Sequence, residues 1–221
     1  MKPHAVVFDA YGTLFDVQSV VAGASGGIRG DIRPLSTLWR QRQLELTWLQ
    51  SLMNRYEDFW SVTQAALRSA ARQLQIEMEE AQIDILMQAY LAPQAFIDVK
   101  PGLESLKGCT LSILSNGSPK MLDAAVRHNN LGPLFSHIIS VDRVRVYKPS
   151  PRVYALGTEI LRLPAAEILF VSSNWWDIWG AKTFGYNVCW CNRSNTETEF
   201  PDAPPDFVVT RLDQLAVLVE S

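Results

Sequence analysis

The pattern that most limits the fold of this chain begins at Lys100. From there to the C-terminus, short apolar runs alternate with helical patterns. Thr110–Leu114, Ile138–Val141, Ile168–Val171, Asn187–Cys191 and Phe207–Val209 read as strands. Pro119–His128, Pro151–Leu161 and Ile178–Phe184 read as helices between them. Such alternation implies a parallel sheet joined by right-handed crossovers. Residues 4–8 add a strand to the same sheet, so the expected class is α/β, a parallel sheet with helices on both faces.

Between that first strand and Lys100 the pattern changes. Residues 16–97 carry almost no strand signal, and apolar residues recur at helical spacing. Leu35, Leu38 and Trp39 are followed by Leu46, Leu49 and Met53. A second helix is expected over Glu57–Leu74, with Phe59, Val62, Ala66, Leu67 and Ala70 on one face, and a third over Glu79–Leu91. The expected division is a core of residues 1–15 and 98–221 and a helical insertion of residues 16–97 docked on it. The glycine-rich stretch Gly23–Gly30 reads as the linker into the insertion. The stripe Leu35, Leu38, Trp48, Leu52 and Trp60 reads first as core.

With 221 residues the chain can bury a sizeable core in one domain plus an insertion. A hydrophobic fraction of 48% and a mean hydropathy near zero describe an ordinary soluble protein. A net charge of −3 and a pI of about 5.6 argue against a nucleic-acid partner, which calls for a basic face. The cluster Arg143, Arg145, Lys148 reads as a loop with one functional lysine. Three cysteines, Cys109, Cys189 and Cys191, form no pairing framework and fit a reducing cytoplasm. Cys189 and Cys191 share one face of a strand and read as packing residues, because the histidines are scattered and a metal site needs more ligands. There is no charged leader before an apolar stretch and no run of bilayer length, so neither secretion nor a membrane is expected. The glycosylation patterns at Asn116 and Asn192 are then chance matches.

In an open parallel sheet, ligands bind beyond the carboxyl ends of the strands. Polar residues collect there. Asp9 ends the apolar run Ala5–Phe8, and Gly12-Thr13 then turns the chain away. Ser115-Asn116-Gly117-Ser118 follows the second strand, Lys148 the third, and Ser172 to Asp177 the fourth. Asp9 reads as a displayed nucleophile; the alternative is an ordinary strand-end aspartate, but an acid ending an apolar strand requires a partner. Ser118-Pro119 reads as N-cap and first residue of a helix whose free amides would face Ser115 and Asn116, an anion site; plain capping is the alternative. Lys148-Pro149-Ser150-Pro151 repeats the arrangement and projects a lysine that would keep Asp9 ionised. Asp177 opens a further helix, where an acid is also favoured by the helix dipole alone.

Together these segments resemble the haloacid dehalogenase superfamily, and within it the L-2-haloacid dehalogenases. The resemblance rests on DAYGTLFDV at 9–17, LWRQRQLE at 38–45, SLMNRY at 51–56, LSNGSP at 114–119, VYKP at 146–149 and FVSSNWWD at 170–177, and covers nearly the whole chain. It implies a Rossmann-like core with an inserted α-helical cap. It implies that Asp9 displaces halide from the substrate carbon with inversion, forming an ester, and that Asp177 prepares the water that hydrolyses it. Lys148 matches the lysine supporting both acids, and Tyr154 a member of the same polar network. Thr13, Ser172 and Asn174 match residues that position Asp9 and the water. Ser115 matches the hydroxyl that holds the substrate carboxylate, and Arg40 and Asn116 the pair that receives the halide. Tyr11, Gln41, Leu44, Phe59 and Trp176 match the wall around the substrate side chain. The activity implied is conversion of short L-2-haloacids, and of haloacetates, to hydroxyacids by a homodimer without cofactor or metal.

Phosphatases of the superfamily carry a second aspartate where this chain has Tyr11, to protonate an alkoxide leaving group. A halide leaves unprotonated and needs only a cation, donors and walls that exclude water. The phosphatase magnesium segment Gly-Asp-x-x-x-Asp is here Ser172-Ser173-x-x-x-Asp177, one carboxylate short. Two alternatives remain open: a magnesium-dependent phosphatase of small metabolites, and a catalytically idle dimeric binding protein. An arginine on an amphipathic helix is usually a solvated face residue; the LWRQRQLE context sets Arg40 apart, and Arg42, pointing elsewhere, serves as its control. Trp175 departs from the family pattern: it either narrows the pocket or packs under the cap.

Overall fold

The computed structural model describes residues 3–18, 20–21, 33–106, 108–197 and 203–220. In chain order its strands are β1 (Ala5–Phe8), β2 (Phe15–Asp16), β3 (Gln94–Ala95), β4 (Thr110–Ser115), β5 (His137–Ser140), β6 (Ile168–Ser172), β7 (Asn187–Cys191) and β8 (Phe207–Val209). The helices are α1 (Arg33–Leu52), α2 (Phe59–Gln73), α3 (Glu80–Ala89), α4 (Val99–Ser105), α5 (Pro119–His128), α6 (Pro151–Leu161), α7 (Trp175–Phe184) and α8 (Leu215–Glu220).

Six strands form one sheet in the order β5-β4-β1-β6-β7-β8, and every neighbouring pair is parallel. All four residues of β1 are buried, as a strand covered on both faces requires. The chain builds β4 and β5 on one side of β1, then returns to build β6, β7 and β8 on the other. β1 is therefore where the strand order reverses, and a crevice opens beyond its carboxyl end. Phe8 pairs with Ile113 and Val171, and the Asp9 N–H donates to the Val171 carbonyl at 2.9 Å. Asp9 is thus the first residue past the sheet, at its middle.

Helices α1 to α3 form the inserted cap, and its expected helices are all present. Asp58 caps α2 by accepting the Ser61 N–H at 3.0 Å, which stops the helix short of the expected Glu57 start. The buried face of α2 contains Phe59, Val62, Ala66, Leu67 and Ala70, together with Thr63 and Ala71. Two short strands went unnoticed in the sequence: β2 and β3 pair antiparallel, Phe15 with Ala95 and Asp16 with Gln94, where the chain leaves and re-enters the core. At two residues each they are too short to show a period. Gly12 turns the chain between β1 and β2 at φ +91°, a conformation that strains any residue with a side chain.

Three readings change. Leu52, expected in the core, is 83% exposed at the end of α1, beside exposed Leu49 and Met53; helical spacing showed an apolar stripe but not where its cover ends. Trp48 and Trp60 are partly buried. Helix α7 starts at Trp175, three residues before the expected Ile178, with Asn174 at its N-cap, so Asp177 lies in its first turn. The stretch Gly23–Gly30 lies outside the described residues. Cys189 and Cys191 are buried free thiols, and Cys109 is partly buried.

Candidate active site

Asp9 is 5% exposed, and its carboxylate is held from three directions. Thr13, one turn on, donates its hydroxyl to Oδ2 at 3.0 Å. Asn174 donates Nδ2 to the same oxygen at 2.9 Å. Lys148 donates Nζ to Oδ1 at 3.1 Å. Each holder is itself held. The Thr13 hydroxyl accepts the Ser173 N–H at 2.8 Å, and the Ser172 hydroxyl accepts the Asn174 N–H at 3.1 Å. The loop after β6 is thereby locked against the loop after β1.

Lys148 is fully buried and shared between two acids, its Nζ also donating to Asp177 Oδ2 at 2.8 Å. Tyr154, on α6, donates its hydroxyl to Asp177 Oδ1 at 2.8 Å. Burial, and then the Asp177 charge, push the Tyr154 phenol well above its usual range, so it remains a donor. Burial also lifts the Asp177 carboxyl to about 6; Lys148 pulls it down, while the Asp9 charge pushes it up. One ammonium cannot neutralise two carboxylates, so one acid of the trio stays easy to protonate.

The cap supplies the opposite wall. Arg40 donates Nη2 to the Tyr11 carbonyl at 3.3 Å and Nη1 to Gln43 Oε1 at 2.7 Å. The Tyr11 carbonyl also receives Asn174 Nδ2 at 3.3 Å, so one backbone oxygen joins cap to core beside the nucleophile. The Tyr11 ring packs on Phe59 and Tyr90, with centroids 5.8 and 5.5 Å apart. Its buried hydroxyl has no protein partner among the described residues, and burial raises its pKa far above the usual value. Arg42 turns away from this group, toward Glu45 and Gln73 of α2.

Ser115 and Asn116 stand at the end of β4, both buried. The Ser115 hydroxyl accepts the Gly117 N–H at 3.1 Å, and Asn116 Oδ1 accepts the Lys148 N–H at 3.0 Å, leaving its NH2 group as the donor. Ser118 and Pro119 take N-cap and first position of α5 as expected, though the Ser118 side chain makes no capping bond. Trp176 meets Trp48 of the cap edge to face, 5.7 Å between centroids, with Leu44 one turn before Trp48. Gln41 is set apart from this group: its side chain is exposed and donates to Glu45 at 3.1 Å. Trp175 packs on Trp179, 6.1 Å away, beside Pro149 and Pro151.

Sequence reasoning missed Gln43, Thr63 and Tyr90. Gln43 is fully buried, takes Arg40 on its oxygen, and donates Nε2 to the Thr63 hydroxyl at 2.6 Å. Tyr90 donates to the same Gln43 oxygen at 3.2 Å. A polar glutamine at a core position of α1 was the available signal. A divalent cation does not fit between Asp9 and Asp177: the Lys148 ammonium already bonds both, and Ser173 supplies no carboxylate.

Comparison with known proteins places this arrangement. The profile of the haloacid dehalogenase-like hydrolases matches residues 3–185. An (S)-2-haloacid dehalogenase of Pseudomonas sp. (strain YL) is 47% identical over 98% of this chain and 94% of its own length. Haloacetate dehalogenase H-2 of Moraxella sp. (strain B) is 41% identical over 99% of this chain and 98% of its own. The structure of L-2-haloacid dehalogenase from Xanthobacter autotrophicus with chloropropionic acid covalently bound superposes with a TM-score of 0.91 at 41% identity, covering 99% of each chain. The chain belongs to the haloacid dehalogenase-like hydrolases and, within them, to the (S)-2-haloacid dehalogenase family.

Proposed function

We propose that this protein hydrolyses short-chain L-2-haloacids, and haloacetates, to hydroxyacids, the L-2-haloacids giving D-2-hydroxyacids. The observation that carries the reading is Asp9 itself. It is a buried carboxylate at the switch point of the sheet, held by Thr13, Asn174 and Lys148. The phenol two residues on is too weak an acid to serve a leaving alkoxide.

In the first step an Asp9 oxygen attacks the halogen-bearing carbon from behind. The carbon–halogen bond breaks, the halide leaves with the bonding pair, and the centre inverts as the ester forms. Arg40 and the Asn116 amide receive the halide, and Ser115 holds the substrate carboxylate. Tyr11, Leu44, Phe59, Trp176 and the more exposed Gln41 form the wall around the substrate side chain. In the second step Asp177 takes a proton from water placed by Ser172 and Asn174, and the hydroxide attacks the Asp9 carboxyl carbon. The acyl–oxygen bond breaks, the alkoxide takes up a proton, and Asp9 is regenerated with one oxygen from water. Lys148 serves both acids and Tyr154 steadies Asp177. The (S)-2-haloacid relatives and the covalent chloropropionic acid structure support this chemistry.

The division into a core of residues 1–15 and 98–221 and a cap of residues 16–97 belongs to the same proposal, supported by the β2–β3 crossing. So does a homodimer, supported by exposed Leu49, Leu52 and Met53 on α1. A cytoplasmic location is supported by the free thiols of Cys189 and Cys191. No helix among the described residues is long and apolar enough to cross a membrane.

The test is halide release from L- and D-2-chloropropionate in the presence of EDTA. Chloride from the L isomer alone, with D-lactate as product, is expected, and Asp9→Asn should abolish turnover while the protein stays folded. No halide from either isomer or from haloacetates would overturn the proposal.

A further inference from the structure

Arg193 lies in the turn after β7 and takes no part in the chemistry above, yet its guanidinium is fully engaged. Nε and Nη2 both donate to the Thr13 carbonyl, at 3.2 and 2.8 Å. Nη1 donates to both Asp98 oxygens, at 3.0 and 3.1 Å. The guanidinium carbon stands 4.0 Å from the centroid of the Phe96 ring. Asp98 is 2% exposed and also accepts the Leu212 N–H at 2.6 Å. Burial alone would raise its carboxyl, but the bonds from Arg193 and Leu212 hold it below the usual range.

The partners fall in a telling place. Thr13 precedes β2, on the first crossing from core to cap, and Phe96 and Asp98 follow β3, on the second. The crossings are paired through β2–β3, and the Phe96 N–H donates to the Leu14 carbonyl at 3.1 Å. Arg193 grips both crossings on the core side of that ribbon. The residue whose carbonyl it holds is the one whose hydroxyl bonds Asp9 Oδ2. A planar fork bonded on two edges and stacked on a ring has little freedom left.

We infer that Arg193 is a positioning residue for the nucleophile: it anchors Thr13 to Asp98, so that movement of the cap about β2–β3 is not passed to the Asp9 carboxylate. The inference rests on the dehalogenase reading. Arg193→Lys is the informative variant, because it keeps a cation beside Asp98 but loses the fork that reaches Thr13.

The experiment measures single-turnover formation of the Asp9 ester from saturating L-2-chloropropionate, by rapid quench and intact mass. Four proteins are compared: wild type, Arg193→Lys, Thr13→Ala and the double variant. Arg193→Lys should slow ester formation about tenfold with KM changed less than about twofold. In the Thr13→Ala background the same change should cost less than about twofold, since the route to Asp9 is already cut. An unchanged rate in Arg193→Lys, or an equal loss in both backgrounds, would overturn the inference. If Arg193→Lys does not fold, Asp98→Asn must give the same background-dependent loss, and failure to do so overturns it too. Wild type forming no ester would instead sink the dehalogenase reading, and this inference with it.

Discussion

One ammonium shared by two carboxylates is the central fact at the scale of the residue. Lys148 bonds both Asp9 and Asp177, and burial leaves the Asp177 carboxyl raised to about 6. A base must be ionised to act, and esterification removes the Asp9 charge that helps to raise Asp177, so ester hydrolysis should hold as pH falls to about 6 and slow only below it. In the proposed mechanism, displacement of halide does not use Asp177. As pH is lowered below about 6 the Asp9 ester should therefore make up a growing share of the enzyme, seen by intact mass after an acid quench; a share that does not change with pH would show that Asp177 is not the base. The same shift has a stability sign. A carboxyl raised on folding binds its proton more tightly in the native state, so this contribution is complete below the ordinary value of 3.8 and is lost as pH rises through about 6. Arg40 and Arg42 form a second comparison on one helix. Arg40→Ala should lower turnover about 10²- to 10³-fold, the loss typical of a donor to developing charge. Arg42→Ala, which loses contacts to Glu45 and Gln73, should stay within about threefold. Equal losses in steady-state kinetics would remove Arg40 from the halide site.

At the scale of the element, close packing of α6 and α7 sets the Asp177–Tyr154 pair. A side chain at Gly180 would place its Cβ 2.6 Å from both Pro149 Cβ and the Tyr154 hydroxyl. Neither neighbour can retreat easily, since Tyr154 is buried and bonded to Asp177 and Pro149 follows Lys148. Gly180→Ala should destabilise the fold by about 1–3 kcal/mol, the usual cost of overpacking, and lower turnover by displacing the Tyr154 hydroxyl. Thermal unfolding and steady-state kinetics on the same preparation check both halves. An unaffected melting temperature would mean that α7 moves aside more readily than this packing implies.

At the scale of the whole molecule, cap and core are joined on two sides. The β2–β3 ribbon, gripped by Arg193, forms one side. On the other, the Tyr147 hydroxyl donates to the Glu57 carbonyl at 2.6 Å, the Tyr147 N–H donates to the Ser51 hydroxyl at 3.1 Å, and Tyr56 bonds Asp142. The candidate active site lies between. Beyond it, the C-terminal end of α1 presents Leu49, Leu52 and Met53 to solvent. Leu52→Glu should convert the proposed dimer to a monomer, read by light scattering, because an unpaired charge in an apolar contact is disfavoured. An unchanged mass would place the dimer contact elsewhere or show a monomer.

Much of the fold and of the site was legible without coordinates. Strand–helix alternation, the apolar run into Asp9, and the polar residues after β4 and β6 are local patterns, set by backbone preference and side-chain period over a few residues. Asp9, Lys148 and Asp177 could be singled out because Asp9 directly follows such a segment, Asp177 stands in the first turn of the next, and Lys148 lies two residues before the Ser150 N-cap of α6. Thr63, Tyr90 and Arg193 could not, since their partners lie up to 180 residues away and local spacing carries no trace of them; Gln43 shows in the sequence only as a polar residue at a core position of α1, without a sign of what it holds. The exposure of Leu52 was hidden for a related reason: periodicity marks an apolar stripe, but only packing decides how far it is covered. The sequence by itself determined the main strands and helices, the apolar face of each and the polar groups that end at the rim, because those follow from short-range sterics and hydrophobic period. Only the tertiary structure decided that one lysine serves two acids, that the cap arginine rests on a buried glutamine, and that the Thr13 carbonyl is held from across the chain. Those are contacts between distant segments, and they exist only once the core has brought the segments together.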